Sequence, residues 1–442
     1  MNTVTKTLNR EILRLAVPSI LANITIPLVG MVDTAIAGHI ADASAIGGIA
    51  VGSVLFDLLY WNFGFLRVGT AGMTAQAYGR HDSEACNRLL TQSLTIALAA
   101  ALLIYLLQWV FVTCVLWLMP CSETVAGFAR RYFFIRVWAA PATLSMLALK
   151  GWFIGMQNTV APMITDIVVN VVNMAASYLL AVRTPLGPLG VAWGTVIAQF
   201  TGLVTACILL LVRYRPTVRQ MLQRAFIRQC MRWRQLRRLL VMNGNLFLRS
   251  LCFMIVYVGY TTIASDFGDI ELAISSILMK LFMFFSYFID GFAYAGEALS
   301  GRLGAQHSGG WKKTDDIRLL MRVLFVWATA MGLLFTLIYG AGGEQLISLM
   351  TNRSDIIGAA RRYLVWLALM PLFSAYAFMW DGIYIGATAD IPVRNCMIWA
   401  AVGFIVTYFA LQPFACTHAL YAAYFMHLIA RSLYLSVRWK TM

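Results

Sequence analysis

Long apolar stretches are the feature that most restricts how this chain of 442 residues can fold. About 12 of them reach the roughly 20 residues that a helix needs to cross the hydrocarbon core of a bilayer. Apolar residues make up 60% of the chain and charged residues only 12%, a balance that one water-soluble domain could not bury. The sequence therefore predicts an all-α integral membrane protein with 12 transmembrane helices.

A strongly basic segment lies near the middle of the chain. Nine arginines and no acidic residue occur from Arg213 to Arg238. Lys and Arg of short loops stay on the cytoplasmic side of a membrane, and the N-terminus, the loops near Arg80 and Arg302, and a tail that includes Arg431 are also basic. We therefore expect a multi-pass protein of a bacterial inner (plasma) membrane with both termini in the cytoplasm.

This basic segment divides the sequence into three parts. We expect an N-terminal lobe of six helices at 1–212, a cytoplasmic linker at 213–238 and a C-terminal lobe of six helices at 239–442. The net charge of +15 belongs mostly to the loops. Membrane lipids with anionic head groups are the ordinary partners of such loops, and nucleic acid is not expected as a partner.

The two halves contain matching glycine motifs. Gly151 and Gly155 follow Pro141 in the first half, and Gly382 and Gly386 follow Pro371 in the second half. Each motif alone is compatible with ordinary close packing of two helices. Their matching positions indicate an internal repeat, with two lobes in the same orientation and a cavity where they meet.

Four segments, at 27–38, 65–79, 290–301 and 380–388, resemble the motifs of the multidrug and toxic compound extrusion (MATE) transporters, most of all the DNA-damage-inducible F branch. The resemblance covers essentially the whole chain. It implies two six-helix lobes related by a pseudo-two-fold repeat, with a V-shaped central cavity. It also implies efflux of amphipathic, often cationic, small molecules by alternating access, driven by H⁺ or Na⁺. We expect a monomer that needs no cofactor.

Asp33 is the first candidate for the coupling site. A carboxylate inside a membrane span costs about 2.5–3.5 kcal/mol on insertion scales, so it should face a cavity or a partner. Pro27 interrupts the hydrogen bonding of the same helix and could act as a hinge. Proton uptake by Asp33 could therefore change the bend and release a bound cation. The alternative is an ion pair with a base such as Arg67, Arg136 or Lys150.

Polar residues of the fifth and sixth spans could surround Asp33. Asn170 and Asn173 share one helical face, and they and Thr195 resemble a polar pocket of the family for proton coupling or substrate binding. The branch often has a carboxylate four residues after the second asparagine, where this chain has Ser177. Asp166 could supply that charge from another depth. The alternative is plain hydrogen bonding between helices.

In the second half, Asp290, Glu297 and Asp381 accompany Arg249 and Lys280. These charges could form an internally neutral network, or one carboxylate could remain available for a cation. The seventh span contains Arg249 and no glutamate, and an arginine opposes Na⁺ electrostatically. H⁺ coupling is therefore preferred over Na⁺ coupling.

Other classes of function have less support in the sequence. Sequence motifs of metal sites, nucleotide loops and hydrolases do not occur, so we expect neither an enzyme nor a metal centre. The strongest alternative is a flippase for a lipid-linked or polyprenyl-linked anionic substrate. Such a protein would hold phosphate groups with bases in its cavity, and unpaired arginines in the cleft would favour it.

Overall fold

The computed structural model describes residues 3–40, 43–118, 121–306, 310–415 and 417–440, and every regular element in these ranges is a helix. Helices suit a bilayer because each backbone group bonds within its own segment. The α-helices are α1 (Thr3–Ile40), α2 (Ala43–Tyr60), α3 (Phe65–Gly79), α4 (Ser83–Leu118), α5 (Glu123–Arg136), α6 (Ala140–Gly155), α7 (Val160–Arg183), α8 (Leu189–Arg213), α9 (Arg215–Met221), α10 (Arg224–Cys230), α11 (Trp233–Asp266), α12 (Asp269–Gly304), α13 (Asp315–Ser348), α14 (Ser354–Ala360), α15 (Leu364–Gly386), α16 (Asp390–Ala415) and α17 (Thr417–Trp439).

Membrane-length helices make up most of the chain. In the described ranges, 11 segments are long and apolar enough to cross a bilayer. Three of them combine two helices through a short 3₁₀ segment, at Trp61–Gly64, Val137–Ala139 and Arg361–Tyr363. The twelfth predicted span corresponds to α17, which has 23 residues but is less apolar because it contains two histidines and two arginines. The all-α membrane fold is thus confirmed, and the V-shaped cavity stays a prediction.

By its internal contacts, the chain forms two compact units. The N-terminal unit comprises residues 21–243, and the C-terminal unit comprises residues 1–20 and 244–442. Both divisions fall inside continuous helices, because α1 contains residues 20 and 21 and α11 contains residues 243 and 244. α1 also continues without interruption through Pro27. Lobe boundaries at 212 and 239, and a hinge at Pro27, stay predictions.

Close backbone contact holds α6 against α3 in the N-terminal unit. A Cβ atom added at Gly151 would collide with the backbone carbonyl of Arg67. One added at Gly155 would lie 2.7 Å from the carbonyl oxygen of Ala71 and 2.5 Å from Thr74 Cβ. These glycines therefore permit an approach of the two helices that any larger residue would prevent.

The C-terminal unit repeats this arrangement between α15 and α12. A Cβ atom at Gly382 would collide with the carbonyl of Ala293, and one at Gly386 would collide with Ser300 Oγ and the carbonyl of Glu297. The matching glycines thus perform the close packing that each motif indicated on its own. Because they pack equivalent helix pairs in both units, they also mark the internal repeat.

The turns that follow these two helices match as well. Gln157 after α6 and Thr388 after α15 both have positive φ angles, of 60° and 53°. The amides of Asn158 and Ala389 each donate to a carbonyl five residues earlier, at 2.9 Å in both cases. This hydrogen bonding satisfies carbonyl groups at the end of a helix. The repeat therefore extends from the helices into their connections.

The basic linker packs on the N-terminal unit. Asn87 Nδ2 donates to Gln220 Oε1 at 2.6 Å, and Gln92 Nε2 donates to the carbonyl of Cys230 at 2.8 Å. Gln229 donates to Glu84 at 3.3 Å. These bonds attach α9 and α10 to α4. The predicted linker thus contains two short helices that are hydrogen-bonded to α4, and its last residues, from Trp233, belong to α11.

We predict that Gly382→Val destabilises the protein, because the new side chain would collide with the backbone of α12. Overpacking of this kind costs about 1–3 kcal/mol. The readout is the Tm of the purified protein in detergent. Gly340→Val is the matched control, since no described atom lies within 4 Å of a Cβ at that position. Equal Tm values for the two variants would contradict the packing role of Gly382.

Candidate functional site

Polar side chains connect three helices within the N-terminal unit. Asn170 of α7 donates to the hydroxyl of Thr25 on α1. Asn173, one turn further along α7, donates from Nδ2 to Thr195 Oγ1 on α8 at 3.0 Å. Thr195 in turn donates to the carbonyl of Val191 at 3.1 Å. The structure therefore brings the predicted residues Asn170, Asn173 and Thr195 into one polar cluster.

Two buried oxygen atoms in this cluster lack hydrogen-bond partners in the described part of the chain. They are Asn173 Oδ1 and Ser177 Oγ. Asn173 is 4% exposed and Ser177 is fully buried. The backbone of α8 approaches closely here, because a Cβ atom at Gly194 would lie 2.5 Å from the Ser177 hydroxyl. A buried polar atom without a hydrogen bond is costly. These two oxygen atoms are therefore available to accept a hydrogen bond from a proton-bearing group.

An ion pair between α6 and α7 lies in the same unit. Lys150 Nζ contacts Asp166 Oδ1, and both side chains are about a quarter exposed or less. Asp166 was predicted as a possible replacement for the carboxylate that the family branch often has at the position of Ser177. In the structure, Asp166 is paired with Lys150. The same contact occupies Lys150, which was one of three possible bases for Asp33. Of the other two, Arg136 places its guanidinium over the ring of Phe56, 4.7 Å from the centroid.

The backbone of Asp33 lies in α1. Its side chain falls outside the described part of the structure. Thr25, in contrast, is a described residue of α1 whose side chain is hydrogen-bonded to α7. Sequence reasoning did not select Thr25, because a single threonine in an apolar helix has no distinguishing pattern.

Asp381 forms a buried cluster with two arginines in the C-terminal unit. Its Oδ2 atom accepts from Arg249 Nη2 on α11 and from Arg431 Nη2 on α17, each at 2.6 Å. The side chains of Asp381 and Arg431 are 9% and 4% exposed, and that of Arg249 is 20% exposed. Arg431 was assigned to the basic tail from the sequence. It lies instead inside the unit, because α17 continues past it to Trp439.

Neighbouring polar residues extend this cluster along α11 and α16. Asn245, one turn before Arg249, donates to Asp390 and accepts from Arg394 Nη1, the latter at 2.8 Å. His427 is fully buried one turn before Arg431 on α17. The result is a network of charged and polar side chains on four helices of one unit, α11, α15, α16 and α17.

The remaining candidates of the second half lie on α12. Glu297 is 1% exposed, and Asp290 is half-buried. Lys280, which we expected near these acids, is exposed. Among the described residues, no group of three or more His, Cys, Asp or Glu side chains could hold a metal ion.

Lys150 and Asp381 occupy equivalent positions in the repeat. Each directly precedes the first glycine of its motif, at Gly151 and Gly382. The two charges are opposite, and each is neutralised by residues of its own unit. The repeat therefore conserves the place of a charge near each close helix contact but not its sign.

We predict that Asp381→Asn is strongly destabilising, because it leaves Arg431 buried without a counter-charge. Breaking a buried ion pair costs about 3–5 kcal/mol. Arg249→Gln should lower the Tm in detergent much less, since the pair between Asp381 and Arg431 remains. The double variant Asp381→Asn/Arg431→Met should recover part of the loss. If Arg249→Gln and Asp381→Asn melt alike, the neutralising role of Asp381 is wrong.

The sequence of this chain is similar to a family model and to named relatives. The MatE family model matches residues 18–179 and 246–411, one segment in each half. DNA damage-inducible protein F of Escherichia coli is 36% identical over 98% of this chain and 92% of its own length. Multidrug and toxin extrusion protein 1 of Homo sapiens is 24% identical over 86% of this chain and 64% of the relative.

A solved structure shows the same fold. The crystal structure of a mutant of the Vibrio cholerae MATE transporter VcmN superposes with a TM-score of 0.87 at 16% sequence identity. It covers 100% of this chain and 98% of that one. With family matches in both halves and a relative aligned over nearly its whole length, this chain belongs to the MATE family of multidrug and toxin extrusion transporters.

Proposed function

We propose that this protein is an H⁺-coupled antiporter that exports amphipathic, often cationic, small molecules from a bacterial cell. It would work by alternating access, as a monomer in the inner membrane with both termini in the cytoplasm. The polar cluster that joins α1, α7 and α8 is the observation that carries this proposal. It contains buried oxygen atoms without partners among the described residues, and it is hydrogen-bonded through Asn170 to α1, the helix that contains Asp33.

Counting residues along the two helices supports a similar depth for Asp33 and for the unsatisfied part of the cluster. Asn170 contacts Thr25, and the first and fifth spans run in the same direction through the membrane if the chain alternates sides. Ser177 lies seven residues beyond Asn170, and Asp33 lies eight residues beyond Thr25. At 1.5 Å per residue these offsets are about 10 Å and about 12 Å. The backbones of Asp33 and Ser177 would then lie at similar levels.

The chemistry of the cluster suits a group that gains and loses a proton. An asparagine amide and a serine hydroxyl can each donate or accept, so they can bind either a carboxylate or a carboxylic acid. Burial away from water favours the uncharged form of an acid. In this proposal charged Asp33 attracts the cation, and proton uptake from outside neutralises the acid and releases the cargo.

The contacts of Asp381 favour H⁺ over Na⁺. A hard cation such as Na⁺ needs several oxygen ligands, and positive neighbours oppose it. Two guanidinium groups contact the same oxygen of Asp381 at 2.6 Å. The most deeply buried aspartate of the C-terminal unit is therefore held in ion pairs, which disfavours its use as a ligand for Na⁺.

We predict that Asp33→Asn abolishes export of an ethidium-type cation driven by a pH gradient in proteoliposomes, because an amide cannot exchange a proton. The Tm in detergent should stay near that of the wild type. A suitable control is the double variant Lys150→Gln/Asp166→Asn, which removes a neighbouring carboxylate together with its partner. The control should keep its dependence on the pH gradient. Normal export by Asp33→Asn would exclude this residue as the coupling group.

We further predict that wild-type export persists when Na⁺ is replaced by choline and stops when the pH gradient is collapsed. The two treatments are applied to the same proteoliposomes, so differences in reconstitution cannot explain the result. Export that requires Na⁺ and ignores the pH gradient would overturn the assignment of the coupling ion.

A flippase for a lipid-linked anionic substrate is the alternative function, and it would need unpaired arginines to hold phosphate. Arg249 and Arg431 are both paired with Asp381, so these two arginines do not favour it. Bile-salt-like anions and a polyprenyl phosphate in the transport panel distinguish the two functions, since an antiporter of cations should ignore the polyprenyl phosphate.

A further inference from the structure

We propose that an arginine-lined cavity in the N-terminal unit binds a phosphate group, carried either by an anionic phospholipid or by a soluble phosphate. The cavity has a volume of about 240 Å³. Its four arginines come from three helices: Arg80 directly follows α3, Arg88 belongs to α4, and Arg234 and Arg238 belong to α11. This cavity is separate from the polar cluster around Asn173.

The arginines are placed to act together on one ligand. Arg234 and Arg238 are four residues apart on α11, so they lie on the same face of that helix. Arg88 approaches from α4, which the linker helices contact through Gln92. A guanidinium group presents two parallel N–H donors, which match the oxygen atoms of a phosphate. Several such groups around one cavity favour phosphate over a singly charged carboxylate.

Little negative charge opposes these arginines. The described residues that line the cavity include no Asp or Glu. In the described ranges Arg88 has one acidic partner, Glu84, at 3.9 Å, and the Glu84 side chain is 53% exposed. Ion pairs this long and this exposed contribute little. The cavity therefore has an excess of positive charge that a phosphate would compensate.

Amide side chains form the inner wall of the cavity. Gln76 and Gln92 are 3% and 1% exposed, and Gln92 is held by its bond to the carbonyl of Cys230. Gln235 lies between the two arginines of α11, and its Oε1 atom is buried without a partner among the described residues. Rotation of that amide by half a turn would present its two N–H donors instead. This wall is thus able to complete the coordination of phosphate oxygens.

The volume of the cavity and its position in the chain are compatible with binding of a lipid head group. Pockets for drug-sized ligands usually have volumes of about 300–1,000 Å³, so this cavity suits a smaller group. Under the orientation that the basic linker predicts, it opens on the cytoplasmic side, where anionic lipid head groups accumulate. Soluble phosphates occur on the same side, and direct binding measurements can separate the two sources.

The test measures binding to purified, delipidated protein in a neutral detergent. Short-chain phosphatidylglycerol, inorganic phosphate and short-chain phosphatidylcholine are titrated separately, with ligand-induced Tm shifts and native mass spectrometry as readouts. We expect phosphatidylglycerol or phosphate to raise the Tm and phosphatidylcholine to have little effect. A response to phosphatidylglycerol alone assigns a lipid head group, and a response to phosphate assigns a soluble ligand. No response to either would overturn the proposal.

Two pairs of variants locate the bound group. Arg234→Gln/Arg238→Gln should weaken binding by at least about tenfold, which corresponds to about 1.4 kcal/mol. Arg232→Gln/Arg237→Gln removes the same charge from the same segment but from residues that do not line the cavity, so it should bind as the wild type does. Arg80→Gln/Arg88→Gln repeats the test from the other two helices. Equal weakening by the lining and control pairs would show unspecific attraction to a basic surface.

Because this test measures binding and not export, its outcome is independent of the proposed antiport. Loss of phosphate binding in Arg234→Gln/Arg238→Gln with normal proton-driven export would leave both proposals standing. A failure of Asp33→Asn to affect export would not change the expected binding result.

Discussion

Apolar side chains gain nothing by leaving lipid for one another, so the helices of this protein depend on the backbone contacts that small residues allow. Gly151 and Gly155 bring α6 against α3, and Gly382 and Gly386 bring α15 against α12. The residue before each motif carries a charge, and the turn after each motif has the same hydrogen bonding.

Ion pairs in each unit join buried or half-buried charged side chains of that same unit. Lys150 is paired with Asp166, and Asp381 is paired with two arginines. Each pairing removes a group that could otherwise bind an ion or a substrate. The polar cluster of Asn173, Thr195 and Ser177 differs, because it is uncharged and incompletely bonded. That difference is the physical reason for proposing that coupling occurs in the N-terminal unit.

Much of this architecture could be predicted from the sequence. Apolar length predicts the spans because a helix has a fixed rise per residue, and the glycine motifs indicated the repeat because close packing requires small residues. The contact of Asn173 with Thr195 was anticipated only through a family resemblance, since nothing in the sequence pairs an asparagine of one span with a threonine of the next. Asp33 could be selected by its charge, but its surroundings could not be derived.

Other residues could not be predicted, for identifiable reasons. Arg431 was counted with the basic tail because positive charge near a terminus usually lies in a loop. Its actual partner, Asp381, is 50 residues away in sequence, and only the packing of α17 brings the two together. In the arginine-lined cavity, the two arginines of α11 belong to the basic linker predicted from the sequence, whereas Arg80 and Arg88 lie more than 140 residues earlier, so no sequence pattern brought the four together.

The continuity of α11 has a mechanical consequence. This helix passes from the N-terminal unit to the C-terminal unit between Asn243 and Gly244, and no described atom lies within 4 Å of a Cβ placed at Gly244. Glycine lowers the resistance of a helix to bending, and the open space around this one leaves room for curvature. A bend of α11 at Gly244 would therefore meet no side-chain collision at that position.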